Sequence, residues 1–349
     1  MTGLYRALIR RSITLIIVLF AILVVTVYLL GEPMDKIRRE NIRQEVMNSI
    51  INSNIKFESP EVRQQYLDEQ IQLRINSVGL DEPPYSPKRF SNAIFEVMVL
   101  DLGRSYFFTS DNGSPLVQDI IAERIPRTLL LFGSATIITF IIGLYLGPYL
   151  ADKFGSRSDK TNIFLAMFSS SLPTWWVGML MIFAFAFVFP VFPARSTPSS
   201  SPSDPFYIID LLYHMTLPLI TLVLLSIPIQ AYSVRLFVVN ILEEDFIKAK
   251  HAIGIPKKKI LYSHALRNAA PPLLNSIILG LSSSFGGALL TETAFDWPGI
   301  GSLLFKAITV MDMPLLIGLI YVSALIFIVA VIIADISFSF FDPRVRAIG

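Results

Sequence analysis

The chain alternates between long stretches without charged residues and short linkers that are rich in them. A helix needs about 20 apolar residues to cross a bilayer, because every backbone N–H and C=O must be paired within the segment. Six windows meet this requirement: Ser12 to Leu30, Thr128 to Leu150, Ile163 to Phe189, Met215 to Val239, Pro272 to Thr291 and Met313 to Ala334. The pattern predicts an all-α membrane protein with six transmembrane helices.

The basic residues of the linkers predict the orientation of these spans. Lys and Arg are concentrated in the amino end, in 151–162, in 240–270 and after Phe341. The other two short linkers contain only Arg195 and Lys306. Because short cytoplasmic loops carry the excess of Lys and Arg, both termini are predicted to be cytoplasmic, and that requires an even number of spans.

These assignments divide the chain into five parts. The first window follows several arginines and has no small-residue cleavage site after it, so it is predicted to be a retained anchor rather than a removed signal. The predicted parts are a cytoplasmic amino end (1–11), the first transmembrane helix (12–30), an extracellular and mostly helical domain (31–127), a five-helix core (128–340) with a cytoplasmic loop at 240–270, and a cytoplasmic tail (341–349).

Composition supports a membrane protein and excludes several other classes. Hydrophobic residues make up 53% of the chain and charged residues 16%, with a mean hydropathy of +0.59. The net charge of +2 gives no support for nucleic-acid binding. The absence of cysteine excludes disulfides and thiolate metal ligands. The three histidines lack metal-ligand spacing, so no metal site is predicted.

Ionisable residues inside a membrane usually mark ion or proton coupling. The middles of the six windows carry none, and Arg235, Glu292 and Asp335 lie near window ends, where interfacial water is expected to reach them. This distribution argues against a proton-coupled transporter. The chain also lacks a Gly-x-x-x-x-Gly-Lys-Ser/Thr loop and a Gly-x-Ser-x-Gly motif, so we predict no catalytic residue and no ATP hydrolysis by this chain.

The longest cytoplasmic linker contains a predicted amphipathic helix. Its acids at 243–245 suit a helix amino end, and Gly254 is expected to end it. Its apolar residues recur at helical spacing: Phe246, Ile247, Ala249 and Ile253. The composition is equally consistent with a helix that lies on lipid headgroups and one that inserts into a soluble partner.

The fifth window contains a run of small residues, Ser282, Ser283, Ser284, Gly286 and Gly287. Small side chains allow two helices to approach closely, and they also leave space for a polar pathway. Both interpretations stay open from sequence.

Several segments of the chain form an ordered set of motifs. The cytoplasmic helix reads Glu244-Asp-Phe-Ile-Lys-Ala-Lys-His-Ala-Ile-Gly254 and is followed by His264-Ala-Leu-Arg-Asn-Ala269. The other matching segments, in chain order, are Leu100-Asp-Leu-Gly-Arg-Ser105, Glu123-Arg-Ile-Pro-Arg-Thr-Leu129, Ser171-Leu-Pro-Thr-Trp175, Glu292-Thr-Ala-Phe-Asp-Trp-Pro-Gly-Ile-Gly301 and Phe341-Asp-Pro-Arg-Val-Arg346. Together these segments resemble the permeases of the dipeptide/oligopeptide ABC importer family. The resemblance covers roughly 100–346 and the first span, and it does not cover most of the insertion after Gly31.

The resemblance implies the fold of type I ABC importer permeases and a role in ATP-driven import. It implies that the cytoplasmic helix couples the spans to an ATPase through Glu244, Asp245, Ala249, Gly254 and Leu266, to which we add Phe246 from the helical pattern. The chain departs from the family pattern at Lys250, where a small residue is usual, and at Ile253, where a basic one is common.

The same resemblance implies the partners. These are a homologous second permease subunit, two ATP-binding cassette subunits that hold ATP and Mg, and an extracellular or periplasmic substrate-binding protein. No cofactor is expected in this chain. Oligopeptides or dipeptides are the expected substrates, with oligosaccharides and nickel chelates as alternatives. The competing classes are a secondary transporter or channel and a membrane-anchored enzyme or receptor.

Overall fold

The computed structural model describes the backbone of residues 2–53, 57, 59–284 and 288–341, and the side chains of 9–53, 57, 59–281 and 288–336. The described chain is almost entirely helical. Its helices are α1 (Thr2–Asn52), α2 (Pro60–Ser77), α3 (Pro87–Met98), α4 (Val117–Thr128), α5 (Ser134–Asp152), α6 (Arg157–Ser171), α7 (Thr174–Ile182), α8 (Tyr207–Leu242), α9 (Asp245–Ala252), α10 (Lys257–Lys259), α11 (Leu266–Ser284), α12 (Leu289–Phe295), α13 (Ile300–Val310) and α14 (Met313–Phe341). Wider π-helical turns occupy Leu129–Gly133, Phe183–Val188 and Ile260–Ala265.

Among the described residues, four helical segments are long and apolar enough to cross a membrane. They are Ile9–Asn52, Val117–Asp152, Tyr207–Leu242 and Met313–Ile336, and the bent pair Arg157–Ser171 and Thr174–Val188 would add a fifth. A multi-pass, nearly all-helical protein is therefore confirmed. The fifth predicted span, Pro272 to Thr291, includes residues outside the described set, so the six-span count stays a prediction.

The third predicted span, Ile163 to Phe189, is not one straight helix. The two helical segments that form it meet at an angle of 94°. The break falls at Leu172, whose backbone is extended (ψ 127°), directly before Pro173. A proline disfavours helical geometry in the residue before it and cannot donate a backbone hydrogen bond, so Leu172-Pro173 ends one helix and begins the next.

The described structure divides into two compact units. One unit comprises Met1–Ile16, Ile121–Thr309 and Ser323–Gly349, and within it α5 and α8 make the most extensive helix pairing. A side chain at Gly143 or Gly147 would overlap Gln230 or Val234 of α8, so these two glycines set the spacing of the pair. Small residues four apart allow this close approach of helix backbones. The sequence analysis had not singled out these two glycines.

The other unit comprises Ile17–Ile120 and Val310–Val322. In it, α1 continues as one helix past Leu30, where the first span was predicted to end, and pairs with the following helices. Ile42 of α1 packs with Ile75 and Leu80 in a buried cluster, and Asp35 of α1 forms an ion pair with Arg89. The predicted extracellular location of 31–127 stays a prediction.

Candidate functional site

Helix α9 is a short, separate helix that follows α8 after a tight turn. Helix α8 ends at Leu242 with Glu243 as its carboxyl-terminal cap, and Glu244 has extended backbone angles (φ −70°, ψ 145°) that place it just before the first turn of α9. Acids at a helix amino end interact favourably with the unpaired N–H groups there. Asp245 also pairs with Lys248, with 2.8 Å between Oδ1 and Nζ, and this hydrogen bond holds the pKa of Asp245 below its usual value.

The carboxyl end of α9 is closed by a turn that requires glycine. The N–H of Gly254 donates to the carbonyl of His251 at 3.0 Å, and the N–H of Ile255 donates to that of Lys250 at 3.2 Å. This pair of hydrogen bonds defines a Schellman motif, whose penultimate position is left-handed. Gly254 has the required φ of +81°, so the predicted helix end is confirmed.

The apolar residues of α9 divide between two faces. Ile247 is completely buried against the rest of the unit, whereas Phe246, Ala249 and Ile253 are exposed. The sequence pattern had grouped all four on one face. Phe246, Ala249 and Ile253 therefore lie on one exposed stripe of α9, which is free to contact lipid headgroups or another molecule.

Lys250 connects α9 to the segment that leads into α11. Its Nζ lies 2.8 Å from Nδ1 of His264, and it also lies over the ring of Phe246, 5.6 Å from the centroid. An ammonium can only donate, so Nδ1 of His264 accepts and its ring is neutral. Burial, followed by the charges of Lys250, Lys259 and Arg267, lowers the pKa of His264 below its ordinary 6.5.

Leu266 lies where this segment joins the long helices. It is partly buried and packs against a cluster of small and aliphatic side chains from α5, α8, the π-helical segment 260–265 and α11: Ala151, Val234, Val238, Leu261, Ala265, Ala269 and Leu273. The segment 260–265 that precedes it contacts both α9 and α8. A displacement of α9 can therefore reach the long helices through contacting side chains.

A second constellation joins two of the sequence motifs. The hydroxyl of Thr128 donates to Oε1 of Glu292 at 2.9 Å and accepts from the N–H of Ile300 at 2.8 Å. Oε2 of Glu292 accepts from the N–H of Ser302 at 2.9 Å. Gly299 has no room for a side chain, which would overlap the Thr128 and Glu292 oxygens. The motifs at 123–129 and 292–301 are thus joined by one buried hydrogen-bond network.

This hydrogen-bond network contradicts the expectation that water reaches Glu292. The sequence placed Glu292 and Arg235 where water reaches them, but Glu292 is 0% exposed and Arg235 is 6% exposed. Each is satisfied by protein partners that lie far away in sequence. The argument against a proton-coupled transporter assumed no buried carboxylate in this region, so it does not hold for Glu292.

Replacing Thr128 by valine should destabilise the protein by about 1–3 kcal/mol, because this isosteric change removes the hydroxyl that pairs with Oε1 of the buried Glu292 and with the buried N–H of Ile300. Thermal unfolding of the purified protein measures this effect. Thr221→Val is the matched control, since Thr221 is equally buried and its hydroxyl donates only to Leu217 in its own helix. Equal stability of the two variants would contradict the importance of the Thr128–Glu292 contact.

Arg235 of α8 and Asp159 of α6 form a buried ion pair that the sequence analysis did not foresee. The guanidinium donates from Nε to Oδ1 at 2.9 Å and from Nη2 to Oδ2 at 2.7 Å. Asp159 also accepts from the N–H of Gly155 at 2.9 Å, and Arg235 lies 4.7 Å from the ring centroid of Phe154. This bidentate ion pair connects the amino end of α6 to α8.

The structure leaves one predicted site undescribed. The side chains of Ser282, Ser283 and Ser284 and all of Gly286 and Gly287 lie outside the described residues. Their role as a pathway or a packing surface stays a prediction.

Sequence comparison places the chain in a family. Residues 107–347, more than half of the chain, match the family of binding-protein-dependent transport system inner membrane components. The chain belongs to this family. The match covers α9, the Arg235–Asp159 ion pair and the Thr128–Glu292 hydrogen-bond network, so all three lie in the region that matches the family.

Three relatives illustrate the family. The oligopeptide transport system permease protein AppB of Bacillus subtilis (strain 168) is 28% identical over 272 residues, which cover 78% of this chain and 84% of that protein. The dipeptide transport system permease protein DppB of Escherichia coli (strain K12) is 30% identical over 288 residues, covering 77% and 83%. DppB of Alkalihalophilus pseudofirmus is 30% identical over 290 residues, covering 77% and 84%.

Proposed function

We propose that this chain is the permease subunit of an ATP-driven peptide importer. The observation that carries the proposal is the match to the importer permease family over 107–347, together with relatives that are named for oligopeptide and dipeptide transport. The chain provides the route through the membrane and is not itself an enzyme. Substrate crosses by alternating access, in which the spans open first to one side and then to the other.

In this proposal α9 is the contact with an ATPase partner. Phe246, Ala249 and Ile253 form an apolar stripe that suits a hydrophobic groove, and Glu244 and Asp245 add negative charge at one end of it. Gly254 fixes the end of α9, and Ile247 anchors the helix to its own protein. Movement of the partner would then pass through 260–265 and Leu266 to α8 and α11.

The remaining partners follow from the same proposal. A second, homologous permease subunit completes the pathway, two ATP-binding cassette subunits hold ATP and Mg, and an extracellular or periplasmic binding protein delivers substrate. The chain needs no cofactor of its own. Both termini and the α9 loop are cytoplasmic, and the protein has six spans in the cell membrane.

Uptake by the reconstituted transporter tests this function. The chain is inserted into vesicles with its permease, ATPase and binding-protein partners, and uptake of labelled peptides is compared with that of oligosaccharides and a nickel chelate. We expect peptide uptake that needs ATP and both ATPase subunits. Uptake of only a sugar or the nickel chelate would overturn the peptide assignment, and transport without any ATPase would overturn the importer assignment.

The Lys250–His264 contact should depend on pH. Because the pKa of His264 lies below 6.5, the contact is present at neutral pH and is lost as the pH falls through that lowered value. Lys250→Met removes a nearby positive charge and should raise the pKa of His264. A titration of the histidine ring resonances measures this. An unchanged His264 titration would show that the two side chains do not interact.

A further inference from the structure

Residues 257–265 form a linking segment between α9 and α11. The segment consists of α10 and the π-helical turn Ile260–Ala265, and it continues into α11 without a break. Its His264 faces α9, with 2.8 Å between Nδ1 and Nζ of Lys250. Because the π-helical turn contacts α9 directly, a displacement of α9 acts first on the linking segment.

Two side-chain contacts attach the linking segment to α5. The hydroxyl of Tyr262 donates to the carbonyl of Tyr145 at 3.1 Å, and the two rings lie 6.0 Å apart. Lys257 forms an ion pair with Asp152, with 2.5 Å between Nζ and Oδ1. All four residues belong to the same compact unit. The linking segment therefore holds α5 at two separate points.

These two points lie on either side of a proline. Pro148 is inside α5, after Tyr145 and before Asp152. Since proline has no N–H, α5 lacks the backbone hydrogen bond that residue 148 would otherwise donate to the carbonyl of Leu144. Sharp bends in helices occur mostly at such positions. The linking segment thus bridges the turn of α5 that is most easily bent.

Neither contact is placed to add much stability. The Tyr262 hydrogen bond is exposed, and the side chains of Lys257 and Asp152 are 63% and 27% exposed. Exposed pairs of this kind contribute little to the free energy of unfolding. Their main effect is geometrical, because together they restrict the angle between the parts of α5 before and after Pro148.

The other end of the same helical segment reaches the Thr128–Glu292 hydrogen-bond network. Val117–Asp152 is one continuous helical segment that includes α5. At about 1.5 Å per residue, Thr128 and Tyr145 are about 26 Å apart along it. Thr128 contacts Glu292 of α12 and the first residue of α13, Ile300. A displacement applied near Tyr145 reaches α12 and α13 if α5 keeps its shape, and a bend at Pro148 absorbs it.

We infer that Tyr262 is a positioning residue of the transport cycle. Together with Lys257 it fixes α5 across Pro148, so that a displacement of α9 is carried to the Thr128–Glu292 network. This inference rests on the proposed function, since an ATPase partner is what moves α9. It adds a route through α5 to the contacts that Leu266 makes with α8 and α11.

Transport by the reconstituted importer tests the role of the Tyr262 hydroxyl. Tyr262→Phe removes only this hydroxyl, and Tyr213→Phe is the matched control because the Tyr213 hydroxyl also donates to a backbone carbonyl, that of Val191, at 3.1 Å. We expect peptide uptake per ATP hydrolysed to fall several-fold in Tyr262→Phe and to stay unchanged in Tyr213→Phe, with equal unfolding temperatures. An unchanged ratio in Tyr262→Phe would overturn the inference.

Two double variants separate this role from a merely structural one. Pro148→Ala restores the missing backbone donor, so its addition to Tyr262→Phe should return the ratio towards that of the parent protein. Lys257→Asp should lower the ratio, and the exchanged pair Lys257→Asp with Asp152→Lys should restore it. Failure of both double variants to recover coupling would show that bending at Pro148 is not the cause.

A distance measurement tests the same inference without transport. The chain has no cysteine, so nitroxides can be placed at Ile137→Cys and Lys153→Cys, two exposed positions on either side of Pro148. We expect a narrow distance distribution in the parent protein, a broad one with Tyr262→Phe, and a narrow one again when Pro148→Ala is added.

The two measurements distinguish failure of the inference from failure of the proposed function. An unchanged distribution in Tyr262→Phe would overturn the inference even if the parent protein imports peptides with ATP. The expected broadening in a protein that shows no ATP-driven uptake would support the effect of Tyr262 on α5 and overturn only the proposed function.

Discussion

Gly254→Pro should abolish ATP-driven uptake while the chain still inserts into the membrane. Proline fixes φ near −65°, whereas Gly254 has +81°, and proline lacks the N–H that donates to His251. The end of α9 would have to refold, which moves Phe246, Ala249 and Ile253 relative to the anchor at Ile247. We expect ATP hydrolysis by the partner subunits to continue without uptake, as measured by the two rates in the same vesicles.

Two further variants serve as controls for Gly254→Pro. Gly254→Ala meets no neighbouring atom and only suffers from the positive φ, so uptake should fall partially. Gly113→Pro is the matched control. Gly113 has a similar φ of +79°, and its N–H donates to the carbonyl of Ser110, but it lies in the other compact unit. It should leave the ratio of uptake to hydrolysis unchanged. Normal uptake by Gly254→Pro would exclude α9 as the coupling element.

Arg235→Met should destabilise the protein by about 3–5 kcal/mol, because it leaves the carboxylate of Asp159 buried without its counter-charge. Thermal unfolding in detergent measures the loss. The double variant Arg235→Met with Asp159→Asn should recover most of it, since an amide carries no charge and can still accept from Gly155.

An exposed ion pair is the control for this prediction. Lys36 and Glu32 are four residues apart on α1, and both side chains are largely in solvent. Lys36→Met should leave the unfolding temperature unchanged. If Arg235→Met behaved like Lys36→Met, the buried pair would not contribute to stability, and if the double variant were no better than the single one, an unpaired charge would not be the cause.

Features that depend on neighbouring residues were predictable. The start of α9 at its acids and its end at Gly254 follow from local geometry, and both were predicted correctly. The break at Leu172-Pro173 had the same kind of local signal, but the window was interpreted by its apolar length alone. The division of α9 into a buried Ile247 and an exposed stripe was not predictable, because four apolar residues at helical spacing do not show which of them meets the protein.

Features that join distant segments required the structure. Thr128 and Glu292 belong to two motifs that were each recognised, but nothing in either motif states that one hydroxyl connects them. Arg235 was assigned to water because its partner Asp159 lies on another helix. Tyr262 and the Tyr145 carbonyl that accepts its hydrogen bond are also far apart in the chain.

By itself, the sequence determined that this protein is a helical membrane protein, and its ordered motifs indicated an importer permease. The first follows from apolar length and charge asymmetry along the chain, and the second follows from the resemblance of those motifs to a known family. Only the tertiary structure decided which buried charges are paired, which face of α9 is free, and which segment contacts α5 on both sides of Pro148. These features depend on contacts between side chains that lie far apart in sequence. Whether a charged side chain can be buried is known only when the partner that offsets its loss of hydration is known.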